Sequence, residues 1–330
     1  MPFDHRPEIP SPDLLENARL DLANRLGLDP GLLHWKVGQR LDRKRSTLFQ
    51  LALALPSGPV ATAWYKTPYF PANDQDSRHL DRMRDALIRS DEMGRQFMKR
   101  VGSLPVSVNV TLAFDDDSLE VMTLGLDGEP MGNPLRLYVT SRGRERALAA
   151  CAAVGGAIRI VETLPHEGLT SELGRIWQDT ERKLESVGPL LADADRRSLE
   201  RAIGELFESA SREPNGVTLA HGDLSPGNVI LMKDGITGLI DFMWIPQFRG
   251  FDLSRFIHRL RYTTASYRPW TSALSDAVLE GYGDRDAAAK PGWRFSEIQR
   301  LLATIQRLER KGEGGRRSAG RALAEIRAGL

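Results

Sequence analysis

The sequence predicts an α+β chain of two lobes, the first an antiparallel five-stranded sheet with one long helix, the second mainly helical. Three observations carry this. Between Leu33 and Leu126 the apolar residues alternate or run at strand length, interrupted by a single long amphipathic stretch. Over 135–212, and again after 250, their spacing turns to the helical period. The segment LDGEPMGNP, Leu126 to Pro134, has the Gly and Pro of a connector between the two parts. With 330 residues, 41% of them hydrophobic, the chain can build one large or two modest cores.

The elements follow in order. Ser11 and Pro12 read as a helix cap and first turn, and Gly27 as the stop. HWKVGQRL, STLFQLALAL and PVATAWYK read as three antiparallel strands, separated by the basic turn Asp42 to Arg45 and by Pro56 to Pro59. The triplet Arg43, Lys44 and Arg45 reads as a solvated turn or as a phosphate contact. Ser77 to Val101 is a charged amphipathic helix. VSVNVTLAF and LEVMTLGL then flank the turn of Asp115, Asp116 and Asp117 as a hairpin completing the sheet. Those three acids read as a solvated turn, since strand residues surround them and no fourth metal ligand is near. Helices are expected in ERALAACAAVGGAIRIVETL, LTSELGRIWQDTERKLESV and DADRRSLERAIGELFESASRE, the last capped by Asp193 or Asp195. The final helix FSEIQRLLATIQRLERK precedes a Gly-rich basic break and a short terminal helix.

Composition excludes several function classes. The 45 basic and 44 acidic residues leave a net charge of +1, which offers no general attraction to nucleic acid or to an anionic membrane. One cysteine, Cys151, cannot form an internal disulfide, and its alanine neighbours place it as a small buried residue on a helix. The charged, Pro-bearing start lacks the apolar core of a signal peptide, so a reducing cytoplasm is the expected location. No obligate protein partner is evident.

The chemistry concentrates in LAHGDLSPGNVILMKDGITGLIDF, which ends at Phe242. His221, Gly222, Asp223, Leu224 and Asn228 make H-x-D-L-x-x-x-N, the catalytic-loop pattern of protein kinases with Gly for Arg. Thirteen residues after Asn228 comes Asp241, and the stretch between scans as a hairpin that returns it near Asn228. Phosphoryl transfer needs these types: a carboxylate to orient or deprotonate the attacking hydroxyl, then an amide and a carboxylate to hold magnesium, a hard ion, against the phosphates. Asp223 has the first role, Asn228 and Asp241 the second. His221 reads as a prop for the loop. Lys66, ending the third strand, stands where a kinase places the lysine of the α- and β-phosphates, or is an exposed lysine on an edge. Its acidic partner is expected on the long helix, at Glu92, with Asp91 and Asp85 as alternatives. The first hairpin has only Gly38 nearby, so Ser46 and Thr47 are the candidates to offer hydroxyl and N–H groups to phosphate.

HGDLSPGN followed by GLIDF resembles the aminoglycoside phosphotransferase and choline kinase group, small-molecule kinases with a protein-kinase-like fold. The resemblance is specific over 218–257 and architectural elsewhere; LDGEPMGNP resembles the inter-lobe linker of the group, which implies a boundary near Gly132 and lobes of 1–131 and 132–330. It implies ATP or GTP with Mg2+, and as acceptor a hydroxyl on an aminoglycoside or another sugar-containing small molecule. Alternatives are a neutral sugar, polyol or cell-envelope glycan intermediate, and a non-catalytic nucleotide-binding scaffold. GFDLSRF resembles a later motif of the group, in which Asp252 caps the next helix and braces the catalytic loop. Met243 departs from the Asp-Phe-Gly of protein kinases, and Ser225 leaves uncharged a place where they often carry Lys. Trp244, Phe248, Phe251, Tyr262, Tyr267 and Trp270 read as core residues or as a sugar-stacking set.

Overall fold

A computed structural model describes residues 7–43, 46–69, 77–115, 117–132, 141–166, 168–190, 193–263 and 268–309. Lys44, Arg45, Asp116, Tyr267 and the expected terminal helix lie outside these. The chain forms two compact units, Met1–Pro130 with Asn228–Trp244, and Met131–Gly227 with Ile245–Leu330.

The first unit opens with α1 (Pro12–Leu26), whose cap Ser11 accepts the Leu14 N–H and whose end is closed by Gly27 at φ 66°. β1 (His34–Asp42), β2 (Ser46–Leu55), β3 (Gly58–Pro68), β5 (Thr111–Asp115) and β6 (Glu120–Leu124) form an antiparallel sheet in the order β1-β2-β3-β6-β5. Leu14, Ala18, Leu22 and Ala23 of α1 bury themselves against Phe49, Leu51, Leu53, Ala63 and Tyr65. Since side chains alternate along a strand, Ala63 and Tyr65 take the helix-covered face and leave Trp64 and Lys66 on the other. The long helix is α2 (Ser77–Arg100), with Met93 and Phe97 buried. Asp115 Oδ1 accepts the N–H groups of Asp117 and Ser118, so the acidic turn satisfies its own backbone.

Two expectations are corrected by the sheet topology. VSVNVTLAF is two strands, because its first three residues form β4 (Val106–Val108), which leaves the five-stranded sheet to run parallel to β10 (Thr237–Leu239). Asn109 marks the switch by donating its N–H to the Leu239 carbonyl at 3.2 Å. The connector also carries a strand, β7 (Gly128–Pro130), paired antiparallel with β9 (Val229–Met232). The resulting sheet, β4-β10-β9-β7, draws Asn228–Trp244 into the first unit, where a single boundary near Gly132 does not put it.

The second unit contains α3 (Ser141–Glu162), α4 (Leu173–Val187), α5 (Asp193–Arg212), α6 (Phe251–Thr263), α7 (Arg268–Tyr282) and α8 (Pro291–Glu309), with the two-stranded ribbon of β8 (Val217–Ala220) and β11 (Ile245–Phe248). α4, α5 and α8 share a core of Ile176, Leu184, Ile203, Phe295, Leu302 and Ile305 with Phe248 of the ribbon. α3 and α7 meet through glycines: a Cβ at Gly155 would overlap the Val278 carbonyl, and one at Gly281 the Ala152 carbonyl. The small-residue run around Cys151 exists to permit this contact, and burial raises the cysteine's thiol pKa. Glu162, buried at the end of α3, accepts from Gly250 N–H at 2.8 Å and Tyr282 Oη at 2.6 Å and so ties α3 to α7 and to the turn before α6. Among the described residues no helix is long and apolar enough to cross a membrane.

Candidate active site

β8 delivers the chain into His221, Gly222 and Asp223. Gly222 sits at φ 87°, a left-handed conformation that explains why this loop has Gly where a side chain would be strained. Beneath the loop Asp252, only 2% exposed, accepts the N–H groups of His221 at 2.5 Å and Gly222 at 3.1 Å. It is the second residue of α6 rather than its cap, and its carboxylate is spent on the loop. Burial pushes its pKa up to about 7, against the opposing pull of the two N–H donors and of Arg255. His221 is buried and accepts the Asp223 N–H on Nδ1 at 3.3 Å, which assigns its proton to Nε2. The loop is therefore braced from below by a carboxylate and internally by an imidazole.

Asp223 presents a carboxylate that is 47% exposed and receives Arg255 Nη2 at 2.5 Å. Sequence reasoning did not single out Arg255. The available signal was its spacing, three residues after Asp252 and thus on the same face of α6.

Asn228, Asp241 and Lys66 belong to the first unit. The Pro226–Asn228 turn leads into β9, whose pairing with β10 sets Val229 opposite Leu239. One step beyond, Ile240 donates its N–H to the Asn228 carbonyl at 3.1 Å, so the hairpin brings Asn228 beside the residue preceding Asp241. Asp241 is exposed and left-handed at φ 60°, a conformation Asp tolerates better than most residues. Its carboxylate takes Lys66 Nζ at 3.3 Å, and Lys66 is held on β3 between Leu48 and Val121. Phe242 stacks on Trp244, ring centroids 4.4 Å apart, and approaches Phe97 of α2 at 6.1 Å.

The expected Lys66–Glu92 pair is not formed. Glu92 lies on the exposed side of α2 and accepts from Gln96 one turn later, at 3.0 Å, while Lys66 is paired with Asp241. Ser46 is buried at the start of β2 opposite Pro68, its carbonyl closing the turn by accepting the Arg43 N–H at 2.8 Å. Trp244 and Phe248 are core residues, and Trp270 lies under the Arg144 guanidinium at 4.4 Å.

Asn228 and Asp241 offer two oxygen donors at one end of a hairpin. That sparse, hard donor set fits a magnesium ion that keeps phosphate and water ligands. It is unlike a protein-built cage, of which the described residues hold none.

A sheet unit with a long helix, a helical unit and this loop define a protein-kinase-like kinase of small molecules. The chain belongs to the phosphotransferase enzyme family, whose model matches residues 95–298. Solved structures resemble it along nearly all its length. The aminoglycoside phosphotransferase APH(4)-Ia is 14% identical over 94% of this chain and 97% of its own, with a TM-score of 0.55. The amicoumacin kinase hAmiN, solved with AMP-PNP, Ca2+ and Ami, is 15% identical over 94% of each chain, TM-score 0.53. A choline/ethanolamine kinase family protein from Mesorhizobium loti is 13% identical over 96% of this chain and 94% of its own, TM-score 0.52. At these identities the likeness is one of fold. No curated protein matches the sequence.

Proposed function

We propose that this phosphotransferase moves the terminal phosphoryl group of ATP or GTP to a hydroxyl of a sugar-containing small molecule. The observation that carries the reading is the braced His-Gly-Asp turn, in which Asp252 fixes the backbone while the Asp223 carboxylate stays half exposed. Asp223 orients the acceptor hydroxyl and takes its proton as the acceptor oxygen bonds to the terminal phosphorus. The bond from phosphorus to the bridging oxygen breaks, and its electron pair leaves with the nucleoside diphosphate. Asn228 and Asp241 hold magnesium, which when bound neutralises charge on the phosphate oxygens. Lys66, already beside Asp241, steadies the α- and β-phosphates.

The acceptor classes divide by charge. The amicoumacin and aminoglycoside kinases that share the fold make an antibiotic acceptor a natural member of the panel. One observation favours a neutral sugar, polyol or glycan intermediate: α6, the helix that contacts Asp223, carries Arg255, Arg259 and Arg261, and its one acid is the buried Asp252. A polycation gains nothing from that helix.

Nucleotide consumption by the purified chain, with magnesium and ATP or GTP, against aminoglycosides, neutral sugars, polyols and choline-like amines, tests the reading. The Asp223→Asn protein should keep nucleotide binding and lose about 10²- to 10⁴-fold in kcat. Unchanged turnover would rule out Asp223 as the residue that orients and deprotonates the acceptor, and nucleotide binding without turnover on any acceptor would favour the scaffold alternative.

A further inference from the structure

We infer that Arg255 is the cation that contacts the transferred phosphoryl group, supplied from α6 in place of the charge that the catalytic loop lacks at Ser225. The inference rests on the kinase reading above and adds a catalytic residue to it. In-line transfer brings a phosphoryl group, with negative charge spread over its equatorial oxygens, close to a carboxylate that must stay near the attacking hydroxyl. The two anions repel, and the loop residues from Asp223 to Asn228 contain no Lys, Arg or His to relieve that repulsion.

Arg255 has the geometry for it. Its Nη2 donates to Asp223 Oδ1 at 2.5 Å, so the guanidinium is already at the reacting carboxylate. The side chain is 29% exposed, and its Nε–H is buried without a partner. A guanidinium carries five N–H donors in one rigid plane; Asp223 engages Nη2 and burial closes off Nε–H, which leaves the remaining donors of the outer nitrogens for phosphoryl oxygens without release of the carboxylate. The stem is equally constrained. Three residues earlier on the same helix face, Asp252 is bonded to the loop backbone, so one turn of α6 holds both the main chain of the His-Gly-Asp turn and the side chain of Asp223. Such a cation needs little reorganisation when charge develops in the transition state. Arg255 makes and breaks no covalent bond. It donates hydrogen bonds while the acceptor oxygen–phosphorus bond forms, the proton passes to Asp223 and the diphosphate departs.

The test compares the full chain with its Arg255→Gln, Arg255→Lys and Arg255→Gln/Ser225→Lys variants. Two readouts are taken: kcat on the best acceptor, and equilibrium binding of AMP-PNP and of ADP with magnesium by calorimetry. Arg255→Gln should lower kcat about 10²- to 10³-fold. It should weaken AMP-PNP about tenfold while leaving ADP within about twofold, because ADP lacks the group contacted. Adding Lys at position 225 should recover about tenfold in kcat, a gain that a merely structural Arg255 would not allow. An unchanged kcat, or equal losses for AMP-PNP and ADP, would overturn the inference and leave Arg255 a brace. If the Gln variant fails to fold, Arg255→Lys decides: a kcat loss of about tenfold with weaker AMP-PNP supports the contact, and wild-type values overturn it. An unmodified chain that binds neither nucleotide would defeat the kinase reading itself, whereas nucleotide binding indifferent to Arg255 defeats this inference alone.

Discussion

Asp252 carries a cost that can be measured. Its pKa lies above the usual 3.8, at about 7, because burial outweighs the two N–H donors. The folded chain therefore holds a proton that the unfolded chain has released at intermediate pH, and the stability this contributes is present in full below about 3.8 and lost as pH rises through about 7. Relative to Asp252→Asn, which has nothing to titrate, the wild type should lose up to about 4 kcal/mol of unfolding free energy between pH 4 and pH 8. Urea titrations at stepped pH read this directly, and parallel curves for the two proteins would show that Asp252 ionises normally. Other groups, such as His258, held neutral by burial and neighbouring arginines with a pKa lowered to about 3, are common to both proteins and cancel. Residue by residue, spacing singled out Asp223, Asn228 and Asp241 because a short loop and a tight hairpin relate them locally. Arg255 escaped because the contact spans 32 residues, and Glu92 was misassigned because nothing in a polar helix tells which acid points inward.

At the scale of elements, the contact of α3 with α7 rests on two glycines facing carbonyl oxygens. Backbone cannot yield as a flexible side chain can, so Gly281→Ala should destabilise by about 1–3 kcal/mol despite the higher helix propensity of alanine. Thermal unfolding would show it as a drop of several degrees, and a neutral or stabilised variant would mean that the helices can separate without cost. The long helices α1 and α2 and the strands β1 to β3 were legible from caps and periodicity, since each carries enough residues to display a pattern. β4, β7 and β11 were not. Strands of three or four residues are too short for a period, and β4 and β7 exist because β10 and β9 offer them free edges.

For the molecule as a whole, the segment Asn228–Trp244 follows the first unit although the sequence around it belongs to the second. Native-state hydrogen exchange should show the amides of 229–231 and 237–239 opening together with those of 106–108, and on a different free-energy level from 217–220 and 245–248. A common opening of both groups would mean that the units share one cooperative transition. Local spacing, caps and turn residues encode the His-Gly-Asp loop, the hairpin that follows it and the major helices, and with them the α+β, kinase-like class. Only long-range packing sets which chain segment joins which unit, that Lys66 faces Asp241 rather than Glu92, and that α6 holds the loop's backbone with Asp252 and its carboxylate with Arg255. The physical reason is range. Helix periods and turns act over a few residues and leave a trace in the order of side chains, whereas ion pairs and sheet edges are made by whichever distant group folding brings within about 3 Å.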